Sequence, residues 1–101
     1  MEMCKYILQI LRTQPIVVFS WGFHNPQRLP NGLRFHVQGF KYKGTVEVVY
    51  NEGKDLFEVR LIDNGINVED VYLDNLINVI DNLVEKTSNY KQSVEEEYAL
   101  F

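Results

Sequence analysis

The sequence predicts a small α+β protein, with elements in the order α-β-β-β-β-α-α and a four-stranded antiparallel meander carrying its helices on one face. Two observations carry most of that expectation. Residues 43–62 alternate apolar and polar positions on either side of an Asn51-Glu52-Gly53-Lys54 turn, the period-two pattern of a half-buried hairpin. Further on, Leu73, Leu76, Ile77, Ile80, Leu83 and Val84 recur at helical spacing, one apolar stripe suited to cover a sheet.

The elements follow in order. Met3, Ile7, Ile10 and Leu11, widened by Cys4 and Leu8, predict a first helix over 2–13, closed by Pro15 through its restriction of Gln14. Ile16 to Trp21 is short, apolar and β-branched, which predicts a strand. Residues 23–32 hold two prolines and end in Pro30-Asn31-Gly32, so a loop is expected there. Leu33, Phe35 and Val37 alternate with Arg34, His36 and Gln38 as a second strand. In the hairpin, a two-residue Glu52-Gly53 loop pairs Val48 with Phe57 and Val46 with Val59. Asp63-Asn64-Gly65 is a tight turn that ends the sheet or begins one short extra strand. A long helix is then expected over about 70–86, with Asp74, Asp81 and Glu85 on its solvated side. Thr87, Ser88 and Asn89 offer capping chemistry for a last helix, loosely packed over 88–101, with Tyr90, Val94 and Tyr98 in a narrow stripe.

The chain of 101 residues fits one domain over 1–101, and 46% hydrophobic with 24% charged residues argues against disorder. A single cysteine cannot form an internal disulfide, and no stretch reaches the ~18 apolar residues of a membrane span. With no basic leader before an apolar run, a soluble cytoplasmic protein without membrane association is expected. The net charge of −4 divides unevenly: residues 1–62 carry eight basic and five acidic residues, residues 63–101 two basic and nine acidic. Such asymmetry marks either a polyanion-binding face or a helix surface rich in acids for solubility.

No catalytic constellation stands out, and no enzyme is expected. Cys4 lacks an evident base and completes its helix's apolar stripe. His24 and His36 stand twelve residues apart, without the spacing of helical metal ligands, so neither metal nor cofactor is expected. His36 falls on the polar side of its strand, and His24 bonds its own loop. Asp74, Asp81 and Glu85 lie opposite an apolar stripe among asparagines, which describes a solvated face rather than an acid–base pair. The glycines are scattered singly, which excludes a phosphate loop.

Two functional classes remain. The first is a non-enzymatic adaptor or regulatory protein that docks to a protein partner or to itself as a homodimer, through Tyr90, Val94 and Tyr98. The alternative is a single-stranded nucleic-acid or phosphate-ligand binder built on residues 21–44, which contain no acid. There Trp21 and Tyr42 would stack on bases, Arg28, Arg34, Lys41 and Lys43 would neutralise phosphates, and His24 would supply a polar loop contact. The acidic balance of the whole chain makes nucleic acid the lesser expectation.

Overall fold

The computed structural model describes residues 2–85, and the expected 88–101 helix with its Tyr90/Val94/Tyr98 stripe lies outside them. Helix α1 spans Met3–Leu11 and helix α2 Pro15–Ser20. Five strands follow: β1 (His24–Leu29), β2 (Gly32–Gln38), β3 (Lys43–Asn51), β4 (Leu56–Leu61) and β5 (Ile66–Val71). A 3₁₀ turn at Leu73–Asn75 leads into helix α3, Leu76–Val84. The strands pair antiparallel in sequence order, β1-β2-β3-β4-β5, an open meander. The α+β class and the meander are as expected; the strand count is five rather than four.

The sheet's inward residues form one core with the helices. Leu33, Phe35 and Val37 of β2, Val46 and Val48 of β3, and Phe57, Val59 and Leu61 of β4 are buried with Cys4, Ile7 and Leu11 of α1. Leu76, Ile77, Ile80 and Val84 close the same cluster from α3. The hairpin keeps its expected faces but not its register. Val48 faces Val59 and Val46 faces Leu61, because residues 52–55 all lie in the turn. Asn51 Oδ1 accepts the Lys54 N–H and Asp55 takes a left-handed φ of 56°, which widens the turn by two residues. A slip of two preserves every side chain's face.

Three expected elements are corrected. Ile16–Trp21 is not a strand, since residues 15–20 form α2. Pro15 sits in its first turn, where a fixed φ favours helix, and the Val18 N–H closes the turn on the Gln14 carbonyl. Residues 24–29 are not loop but edge strand β1, where a missing proline N–H costs the ladder nothing on the open side. Pro26 falls within a register shift between His24 and Gln27, beside Asn25 at φ 53°. Finally, no helix begins at residue 70. Asp70 has φ 58°, Val71 is buried as the last residue of β5, and α3 starts only at Leu76. Both edge strands thus carry a left-handed residue at a register shift, a device that twists an open edge away from further pairing.

Candidate functional site

On the sheet's outer face, strand register builds a ladder of alternating charge. Arg34 of β2 is the direct partner of Glu47 of β3, Glu47 of Arg60 of β4, and Arg60 of Asn67 of β5. The guanidinium of Arg34 donates twice to Glu47 Oε2, at 2.8 and 2.5 Å. Arg60 lies 4.0 Å from Glu47 and donates to both oxygens of Glu58. Flanked by two arginines, Glu47 is only 8% exposed although it points away from the core. The Arg60 guanidinium, with Asn67, holds the Glu58 carboxyl below its ordinary pKa.

The residues expected to hold a nucleic acid or phosphate are dispersed. Trp21 is fully buried, its indole N–H donating 2.9 Å to Asp81 Oδ1. Tyr42 is buried too, its hydroxyl bonded to the Thr45 carbonyl at 2.6 Å and to Asp63 Oδ2 at 3.0 Å. Burial, with the nearby Asp63 charge, raises the Tyr42 pKa. Arg28 pairs with Glu2 at 3.2 Å, Arg34 belongs to the ladder, and Lys41 donates 2.7 Å to the Asn82 carbonyl. His24 is exposed and bonds the Gly22 carbonyl at 2.7 Å, as expected of its own loop. Only His24 and Lys43 of the set share a depression, with His36, Gln38 and Gly44.

Of the three acids expected on a solvated helix face, Asp74 is exposed, while Asp81 is half-buried and Glu85 buried. Asp81 anchors Trp21, and Glu85 is 8% exposed, its Oε2 accepting the Phe40 N–H at 3.1 Å. Asp81 thus ties α3 to the end of α2, and Glu85 ties the end of α3 to the segment that follows β2. Asp63 plays a similar part, accepting the Thr45 N–H at 2.7 Å and the Tyr42 hydroxyl, which together hold its carboxyl below the ordinary range. Gly44, at φ 153°, makes this contact possible, because a Cβ there would overlap the Asp63 carboxylate.

The surface that sequence reasoning missed is α2. It buries no residue, and Ile16 and Phe19 are each 85% exposed while Val17 and Val18 turn partly inward. Beside it opens an apolar cavity of about 330 Å³, walled by Leu8 and Leu11 of α1, Val18 and Phe19 of α2, and Phe23 and Pro26 at β1. Arg12 is the only charged residue in its lining. The signal was present in Ile16-Val17-Val18-Phe19, since four consecutive apolar residues on a helix cannot all face one side.

Among the described residues, no three His, Cys, Asp or Glu side chains are placed to hold a metal ion together. No helix there is long and apolar enough to cross a membrane. No protein-family model matches the chain, and neither the curated proteins nor the solved structures contain a match to it.

Proposed function

We propose that the protein is a non-enzymatic interaction protein that docks through the exposed face of α2, with a second copy of the chain as occupant. The observation that carries this is the pair Ile16 and Phe19, 85% exposed beside an apolar cavity. A contiguous apolar surface of this kind marks an interaction site. In an isologous contact the Ile16/Phe19 face of each copy would lie against the other's cavity, whose lining among the described residues carries one charged side chain, Arg12. The buried thiol of Cys4 fits a reducing, cytoplasmic setting, and its core position away from the outward-facing His24 and His36 supports the non-enzymatic reading.

Light scattering over a concentration series tests it. A reversible dimer should form, Phe19→Asp and Ile16→Asp should shift it to monomer with circular dichroism unchanged, and a monomer at every concentration would overturn it. Deleting residues 86–101 separates the two docking readings, because loss of the dimer in that chain alone would move the interface to Tyr90, Val94 and Tyr98. The nucleic-acid alternative has little support, with Arg28, Arg34 and Lys41 engaged and Trp21 and Tyr42 inside the protein.

A further inference from the structure

We propose that His24 and His36 form a two-histidine site for a divalent late first-row transition metal on the outer face of the β1–β2 edge. The two residues are direct partners across the strands, and their rings lie 5.5 Å apart, centre to centre, tilted by 31°. Two imidazoles that share one ion through bonds of about 2.0–2.1 Å place their ring centres roughly 4.5–5.5 Å apart. Twelve residues of sequence hide this juxtaposition, which the Pro30-Asn31 turn creates by folding β1 back on β2.

In each ring Nδ1 has a polar contact of its own, the outer-shell partner that metal-ligating histidines use. A carbonyl can only accept, so the 2.7 Å contact to Gly22 makes His24 Nδ1 the donor and leaves the lone pair of the neutral ring on Nε2. His36 Nδ1 lies 3.3 Å from Thr45 Oγ1, a hydroxyl able to accept the same kind of bond. Both rings border an open depression of about 410 Å³ with Gln38, Lys43 and Gly44. The other coordination positions would be left to solvent, as in exchangeable rather than structural sites. Lys43 opposes a dication, and the Asp63 carboxylate behind Gly44 offsets that charge. Imidazole ligation favours copper, nickel and zinc over magnesium or calcium. The site lies apart from the α2 face and does not depend on the docking reading.

The probe is copper(II) iminodiacetate, whose chelate fills most of the copper positions and leaves an adjacent pair open, suppressing binding at the N-terminus. Isothermal titration and electron paramagnetic resonance on the full chain should show one chelate per chain with two imidazole nitrogens coupled to copper. His24→Asn and His36→Asn should each weaken binding by about a hundredfold, because the second imidazole binds intramolecularly. The double variant should remove the remaining binding, because it also takes away the single imidazole that each single variant keeps. Thr45→Val should cost about tenfold by releasing the His36 ring. Urea unfolding of each variant without metal confirms that the fold is retained, and Phe19→Asp should leave copper binding intact. One coupled nitrogen, or a single-histidine variant that binds as well as the parent chain, would overturn the proposal.

Discussion

Beneath α1 and α3, Leu33, Phe35, Val46, Val48 and Val59 have lost all contact with water. One residue along the same strands, on the opposite face, Arg34, Glu47 and Arg60 stand in a row and close on one another. Both faces exclude water from their centre, Glu47 being 8% exposed, but the energies differ. An apolar side chain moved from water to the core gains about 1.5–3 kcal/mol, whereas an exposed ion pair gains about 0–1 kcal/mol. The outer ladder therefore contributes less to stability than to register: a one-residue slip of β3 would set Glu47 among apolar side chains and Val48 between arginines. The inner face makes the fold stable, and the outer face helps make it single.

The widest test of that contrast is a core truncation. Ile80 of α3 is fully buried, and Ile80→Ala should cost about 2–5 kcal/mol in urea unfolding, from lost transfer energy and the cavity left behind. Asn78, two positions away and exposed, should change stability by less than about 0.5 kcal/mol when replaced by alanine. Equal losses would mean that α3 presents another face to the sheet.

The outer face should give way more gently. Glu47→Ala should cost about 1–2 kcal/mol, more than an exposed pair because the carboxylate is nearly buried, and less than a fully buried pair because both arginine side chains keep 42% exposure. Arg60→Ala should cost less, since Arg34 still holds Glu47. If high salt leaves the Glu47→Ala difference unchanged, the ladder acts through packing rather than charge.

How far these faces could be read from the sequence depended on what fixed them locally. The β3–β4 hairpin was legible because period-two alternation survives a register error of two residues, so Val46, Val48, Val59 and Leu61 were placed inward even with the turn length wrong. The α1 stripe and the inward residues Leu76, Ile77 and Ile80 were legible from their helical spacing, which needs no partner to define it. Ile16–Ser20 was not: a short apolar run fits strand or helix equally, and Pro15 both ended α1 and started α2. β1 was hidden by Pro26, which only an edge position excuses, and by Pro30 in the turn after it. The site residues were least legible, because partners lie far along the chain. Nothing near Trp21 names Asp81, nothing near Arg34 names Glu47, and His24 meets His36 only through strand pairing.

The smallest effect sits at the rim between the faces, where Asp63 bonds the Thr45 N–H and the Tyr42 hydroxyl. Both bonds favour the carboxylate, so its pKa lies lower in the folded chain than the ~3.9 of an unfolded aspartate. That stabilisation is complete above about pH 4 and is lost as the pH falls from there through the folded value, because the unfolded chain then binds the proton first. Tyr42 mirrors it in base: its pKa is raised, so its contribution holds below about pH 10 and is lost as the pH rises through the folded value. Urea midpoints measured for the parent chain and Asp63→Asn should therefore differ by a constant amount through the neutral range and converge below about pH 4. Asparagine keeps an oxygen for Thr45 and Tyr42 but has nothing to titrate, so convergence isolates the charge from the hydrogen bonds. Curves that stay parallel down to pH 2 would show that the carboxylate's charge adds nothing to this junction, and that Gly44 is needed there for shape alone.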